Sequence, residues 1–584
     1  MKLDDNTQKN VDSWLNGDYD QTSKDKIKKL LEQNSEEIID AFYTRLAFGT
    51  GGLRGLMGVG TNRMNEYTIA AATQGLANYI NKESSKEPHS VLIGHDSRNN
   101  SPFFSEVAAR VFAANNIRVY MYKEMRPVPM VSFGCRHKKC IAAVMITASH
   151  NPPEYNGYKV YWDDGAQVLP PHDDGIIKEV YNITDPNQVK SSPDMNSNLI
   201  HMIDDNLDRA YLDTVRSLQF YPEENKLNGD KLKLIYTALH GSGITMVPKI
   251  LHDWGFSNMN LVEKQAVPDG NFPTVEKPNP EEEKAMKMGI NQLLAENADI
   301  LIGTDPDCDR IGTVVLHECK AALLSGNEMA CICIHHICEA LVSKKKMPKN
   351  AAFIKTIVTS ELFKTIAESY QKACFDVLTG FKYIGQMIRE WKKQEPHKYE
   401  YIFGGEESYG YLLGTHSRDK DAIIMSGLIA EIALHAKLKN KTLIDILHDI
   451  YKKHGIFREK LISVVYPDTK ETKEKVKKIM ENIRNSPPKS FGGIAVKILE
   501  DYESSKKTNL ATGSEEPITL PKSNVLLFWL EDDSKLVIRP SGTEPKVKIY
   551  CGVVDKNEKD ISKGILSLDR KITSLCSDLK KLLS

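Results

Sequence analysis

The segment Thr147-Ala-Ser-His-Asn-Pro-Pro153 follows the apolar run Ile141 to Ile146 and ends in two prolines. That order puts Ser149 on a rigid, exposed turn at the carboxyl end of a strand, where open α/β sheets place their ligands. A hydroxyl held there has the setting of a nucleophile, although a serine ahead of prolines equally suits a turn or a helix cap. Asp305-Pro-Asp-Cys-Asp-Arg310 follows a second apolar run, Ile300 to Gly303, and carries carboxylates at alternate positions. In an extended loop such positions share a face, so Asp305, Asp307 and Asp309 can close on one hard cation. Oxygen-only ligands favour Mg²⁺ over zinc, and a phosphate on Ser149 would complete the shell. An EF-hand needs glycine sixth and glutamate twelfth, where this chain has Arg310 and Leu316. A solvated acidic loop is the other possibility.

Two further segments suit phosphate. Phe48-Gly-Thr-Gly-Gly-Leu-Arg-Gly55 matches neither a P-loop nor the dinucleotide fingerprint, but it joins flexible backbone amides to Arg54. A mobile turn explains it as well. Arg539-Pro-Ser-Gly-Thr-Glu-Pro545 gathers a guanidinium, two hydroxyls and a glycine amide after a strand-like run, as expected of a phosphate cradle. The loop Gly404-Gly-Glu-Glu-Ser-Tyr-Gly410 offers acceptors and a hydroxyl suited to sugar hydroxyl groups, and such loops are common on surfaces.

The elements that carry these loops alternate. Apolar, β-branched runs at Val91 to Gly94, Ile141 to Ile146, Leu234 to Leu239, Ile300 to Gly303, Phe353 to Val358 and Tyr401 to Phe403 lead into polar loops, with helix-forming sequence between them. That pattern predicts βαβ units and parallel pairing. Boundary signals lie in the Asn/Ser/Pro-rich stretch 182–198, near 324–327 and near Tyr451. The last part has alternating strands at Ile494 to Leu499, Val525 to Leu530 and Lys546 to Tyr550, with lysine-rich helical patterns, and predicts a smaller α+β domain. The expected domains are 1–208 with the serine loop, 209–325 with the aspartate loop, 326–450 with the sugar loop and 451–584 with the cradle.

Composition narrows the function classes. With 77 basic and 78 acidic side chains among 584 residues, no net field draws the chain to nucleic acid or an anionic membrane. Ten cysteines without regular spacing form neither a disulfide framework nor a zinc site. The polar N-terminus lacks a signal-type apolar segment and no run is long enough to span a bilayer, so a cytoplasmic protein is expected.

In this order, the Arg54 loop, the Ser149 loop, Asp305-x-Asp-x-Asp-Arg310, Gly405-Glu-Glu-Ser408 and Arg539-Pro-Ser-Gly-Thr-Glu-Pro545 resemble the α-D-phosphohexomutase superfamily, nearest its phosphoglucomutase/phosphomannomutase branch that includes phosphopentomutase-like enzymes. The resemblance implies three similar α/β domains with mixed sheets and a smaller C-terminal α+β domain around a central cleft. It implies a phosphoserine at Ser149, with Mg²⁺ held by Ser149, Asp305, Asp307 and Asp309. Arg54 and Arg310 would stabilise the phosphoryl group in flight, Lys159 would do acid/base work, and His150 lies beside the nucleophile. Thr379, Lys382, Glu406, Ser408 and Lys420 would bind the sugar, and Arg539, Ser541, Gly542 and Thr543 its non-reacting phosphate.

The implied reaction interconverts hexose 1-phosphate and hexose 6-phosphate, glucose foremost, through glucose 1,6-bisphosphate as intermediate and activator. Pentose phosphates, release of the bisphosphate as product, and a non-catalytic scaffold on the same fold are the alternatives. The chain departs from the pattern at Gly410, where some members have histidine, which leaves dual use of glucose and mannose unsupported.

Overall fold

The computed structural model describes residues 3–34, 36–49, 51–83, 88–466, 470–541 and 546–583. The chain forms two compact units, one of Met1–Ser325, Ile384–Phe403 and Ser408–Thr442, the other of Gly326–Tyr383, Gly404–Glu407 and Leu443–Ser584.

In the first unit, a six-stranded sheet runs in the order Gly52–Leu56, Tyr155–Trp162, Ala142–Ile146, Ser90–His95, Arg118–Tyr122, Ile200–Ile203. Ser90–His95 pairs in parallel with Arg118–Tyr122 and with Ala142–Ile146, whereas Tyr155–Trp162 turns back antiparallel. Ala142–Ile146 is apolar throughout because helices such as Glu66–Glu83 and Ser101–Ala114 cover the sheet, and Val91, Ile93, Val144 and Ile146 lie in its core. A second sheet orders Lys320–Leu324, Ile311–His317, Ile300–Thr304, Leu234–Thr237 and Met259–Leu261. Here too, parallel pairs around Leu234–Thr237 adjoin an antiparallel return at Ile311–His317. In the second unit Ala351–Thr356 and Ala373–Val377 pair in parallel. The sheets are therefore mixed, as expected of the fold class.

The C-terminal part of the second unit is sheet-rich. Ile456–Val465, Lys546–Asp555, Lys535–Pro540, Leu526–Leu530, Ile494–Asp501, Lys506–Asn509 and Glu515–Pro517 pair in that order, with helices Lys470–Asn485 and Ile561–Leu583. The pairings through it are antiparallel. No helix among the described residues is long and apolar enough to cross a membrane.

One boundary signal needs correction. The stretch 182–198 does not end the first sheet, because the chain returns afterwards to add Ile200–Ile203 beside Arg118–Tyr122. The polar N-terminus also folds into three helices, Asp5–Asn16, Gln21–Glu32 and Glu37–Phe42, around Val11, Trp14, Ile27, Ile38 and Phe42. The first two helices are mostly polar and carry few apolar residues, and the third is only six residues long, so a scan for long apolar runs passes over them.

Candidate active site

The aspartate segment leaves the carboxyl end of Ile300–Thr304 in a tight turn, not the extended loop expected. Cys308 has φ +55° and its N–H donates to the Asp305 carbonyl at 2.9 Å. This folding, rather than strand alternation, brings one oxygen of each carboxylate within 4.8 Å of the others, all three residues being buried. Asp305 Oδ1 accepts from the N–H groups of Asp309 and Arg310, both at 3.0 Å, which fixes the turn from inside. Burial, with Asp307 and Asp309 beside it, pushes the Asp305 carboxyl well above the usual range. Burial acts the same way on Asp309, but Lys159, Lys420 and Arg310 override it and hold that group well below the usual range. Asp307 Oδ1 and Asp309 Oδ1 are buried and accept no hydrogen bond among the described residues, so the trio keeps oxygen ligands unspent, as a hard cation requires.

Ser149 Oγ donates to Asp305 Oδ2 at 2.9 Å, which places the hydroxyl against the trio. The turn is not exposed as expected: Ser149 is 3% accessible and sits at φ +54°, in the left-handed region that a non-glycine residue enters only when its surroundings hold it there. The holding group is Arg98, which sequence inspection did not single out. Its guanidinium donates to the carbonyls of Ser149 at 2.6 Å, Pro152 at 2.8 Å and Tyr155 at 3.1 Å, and also to that of Asn151. Phe272 covers the guanidinium at 4.9 Å and buried Asp96 pairs with it at 3.4 Å. An arginine after the neighbouring central strand, in His95-Asp-Ser-Arg98, was the available signal.

The first unit brings Lys159, His150, Lys420 and Arg310 to the same place. Lys159 Nζ lies 2.8 Å from Asp307 Oδ2 and 3.1 Å from Asp309 Oδ2. Burial alone would lower its pKa, yet those carboxylates keep it well above the ordinary lysine value. His150 Nδ1 is 3.1 Å from Ser149 Oγ, and burial beside Arg310 and Arg54 keeps its ring neutral by pushing the pKa well below the usual value. Lys420, expected at the sugar, reaches Asp309 Oδ2 at 3.2 Å and Asp419 Oδ1 at 3.1 Å. Asp419, another residue not singled out, also accepts from Tyr161 Oη at 2.9 Å. Arg310 pairs with Glu281.

Arg54 is exposed and donates to Asn151 Oδ1 at 3.3 Å. It stands on an ordered edge strand, not a mobile turn, and Gly52 permits the contact: at φ +134°, a Cβ there would come within 1.8 Å of the Tyr158 carbonyl. Ser408 is partly buried on the turn that follows Glu400–Glu406.

The second unit holds the remaining candidates. Glu406 Oε1 accepts from the Gly380 N–H at 2.8 Å, which sets it beside the segment that carries Thr379 and Lys382. The neighbouring Glu407 is pushed up to about 7 by burial and by Glu406. Arg539 ends Lys535–Pro540 and the N–H of Ser541 donates to the Lys546 carbonyl at 2.8 Å. Gly542 and Thr543 lie outside the described residues.

Comparison with known proteins decides the ancestry of this arrangement. Models of the phosphoglucomutase/phosphomannomutase alpha/beta/alpha domains I, II and III match residues 45–187, 209–318 and 325–454. The chain belongs to the phosphoglucomutase/phosphomannomutase family. A phosphoglucomutase of Staphylococcus haemolyticus is 35% identical over 529 residues, covering 90% of this chain and 93% of that protein. The solved open form of pp63/parafusin, a phosphoglucomutase from Paramecium, has TM-score 0.66 at 17% identity, covering 92% of this chain and 96% of that one. A family protein from Burkholderia thailandensis has TM-score 0.64 at 16% identity, covering 91% and 98%. The domain I match of this phosphoglucomutase/phosphomannomutase family member begins after the three N-terminal helices, which belong to none of the matched ranges.

Proposed function

We propose that the protein interconverts hexose 1-phosphate and hexose 6-phosphate, with glucose the favoured sugar, through a phosphoseryl enzyme at Ser149 and a glucose 1,6-bisphosphate intermediate. The observation that carries this is the Ser149 hydroxyl 2.9 Å from Asp305 in a buried aspartate trio. The phosphoglucomutase relatives support the choice of sugar.

Ser149 with Asp305, Asp307 and Asp309 would hold one Mg²⁺, which when bound supplies charge stabilisation to the phosphoryl group on the serine. The rest falls to the chain's own groups. In the first half-reaction the bond from phosphorus to Ser149 Oγ breaks and one to a sugar oxygen forms; the hydroxyl proton of the sugar ends on Oγ. His150, neutral and 3.1 Å from that oxygen, and Lys159 are placed to carry it. Negative charge spread over the moving group's oxygens is met by Arg54 and Arg310. Glu406, Ser408, Thr379, Lys382 and Lys420 orient the sugar.

The bisphosphate then reverses and returns its other phosphate to Ser149. Arg539, Ser541, Gly542 and Thr543 hold whichever phosphate is not reacting, because arginine and hydroxyl donors recognise a phosphate without regard to the carbon that bears it. Since Ser149 is 3% accessible, the groups covering it give way when substrate enters. The same reading divides the chain into domains at 1–208, 209–325, 326–450 and 451–584 and places the protein in the cytoplasm.

The test is Ser149→Ala in a coupled assay that offers glucose 1-phosphate, mannose 1-phosphate and ribose 1-phosphate. Turnover of glucose 1-phosphate by the native protein and its loss in the variant are expected; a fully active variant refutes the phosphoseryl route, and preference for ribose 1-phosphate refutes the hexose assignment.

A further inference from the structure

Gly410 begins the strand Gly410–Leu413, and its neighbours fix it on both sides: the Tyr409 carbonyl accepts from Ile311 N–H at 3.0 Å and the Tyr411 carbonyl from Asp421 N–H at 2.8 Å. Gly410 is absent from the glycines with left-handed φ among the described residues, so its backbone would suit any L-residue. What the position excludes is volume. A Cβ on Gly410 would lie 2.0 Å from Lys420 Cδ, 2.7 Å from Cγ and 3.3 Å from Cε. The Lys420 stem thus passes directly over the bare Cα and stays largely enclosed, its side chain 11% exposed. At the end of that path its ammonium meets Asp309 Oδ2 at 3.2 Å and Asp419 Oδ1 at 3.1 Å. A lysine stem can swing aside from an intruding methyl, but only by withdrawing the ammonium from both carboxylates.

We propose that Gly410 is a positioning residue for phosphoryl transfer: its missing side chain is the channel in which Lys420 lies, and that channel places the Lys420 cation on Asp309. This rests on the mutase reading given above, in which Lys420 serves the substrate and Asp309 belongs to the cation-binding trio. Gly410 touches no reacting atom and acts only through Lys420. The two positions are therefore coupled, and any larger residue at 410 is incompatible with Lys420 in its observed path.

A double-mutant cycle on the full chain tests the coupling, with kcat for glucose 1-phosphate at saturating Mg²⁺ and the thermal midpoint as readouts. Gly410→Ala is expected to lower kcat about ten- to a hundredfold, the range of one charge-assisted contact, and Lys420→Ala to do the same. The double variant should be no worse than Lys420→Ala in either readout, because the space is vacated once the stem is gone. Native kcat in Gly410→Ala, or losses that multiply in the double variant, overturns the proposal. Should Gly410→Ala not fold, Lys420→Ala against the double variant decides: equal midpoints and rates uphold the channel, and a further drop on adding the methyl refutes it. If the native protein does not turn over glucose 1-phosphate, the mutase reading fails on its own. The midpoints still decide the channel, which stands if the methyl is harmful beside Lys420 and harmless without it, and falls otherwise.

Discussion

The guanidinium of Arg98 donates to the main-chain carbonyl of Ser149 at 2.6 Å, from a position fully enclosed beneath the loop. Three more carbonyls of the same loop turn to the same side chain, so one residue fixes the path of the nucleophile. Lysine in its place would keep the charge for Asp96 but could not span four acceptors. Arg98→Lys should lower kcat about a hundredfold, the loss expected of a reacting group misplaced by roughly 1 Å, with little change in KM. Steady-state kinetics check this, and an unchanged kcat removes Arg98 from any role in placing Ser149.

Among the described residues Asp307 Oδ1 accepts no hydrogen bond, and its other oxygen accepts from Lys159 and from Thr147 Oγ1. In Asp307→Asn the Mg²⁺ concentration for half-maximal activity should rise by about tenfold or more. Native protein stripped with chelator should lose turnover and regain it on adding Mg²⁺. Full activity of either protein in metal-free buffer would remove the cation from the scheme.

Glu407 is partly buried, and desolvation with Glu406 adjacent raises its pKa from 4.5 to about 7, against the partial relief of Lys548. The folded state thus binds its proton more tightly than the unfolded chain does. The stability contribution is complete below about pH 4.5, falls as pH rises to about 7 and stays lost above, by at most about 3 kcal/mol. Glu407→Gln should flatten that slope and melt higher than the native protein at pH 8. Parallel midpoint-against-pH curves for the two proteins would show the carboxylate to be ordinary.

Gly52 approaches the Tyr158 carbonyl so closely that Gly52→Ala must displace the edge strand bearing Arg54. We expect a loss of about 2 kcal/mol or more in stability and a fall in kcat. Thermal midpoint and kcat both at native values would show that the strand tolerates the methyl.

Much of this was legible beforehand because chemistry-bearing loops follow apolar strands, and strands buried on both faces announce themselves as near-continuous apolar runs. Ala142–Ile146 and Ile300–Thr304 have that character, and the loops carrying Ser149 and Asp305 follow directly. Burial of Ser149 was not legible, since it depends on Arg98, about fifty positions earlier and adjacent only through parallel pairing. The trio converged for a reason other than alternation, because the left-handed Cys308 that folds the turn leaves no mark in residue spacing. The contact of Lys420 with Asp309 was not legible either, because residue spacing does not show which carboxylate a lysine meets.

The N-terminal helices pack on Tyr67 of the helix Glu66–Glu83 and on the loop ahead of it. Asn62 N–H donates to the Ala41 carbonyl at 2.9 Å, Arg63 pairs with Asp40 at 2.6 Å, and a Cβ on Gly60 would sit 2.4 Å from the Ala41 carbonyl. That loop continues directly from the strand that bears Arg54. Residues outside every matched family range therefore buttress the guanidinium assigned to the migrating phosphoryl group. A lesion in their small core, at Trp14 for instance, would be felt as imprecise aim at the reacting centre before it was felt as unfolding of the sheet.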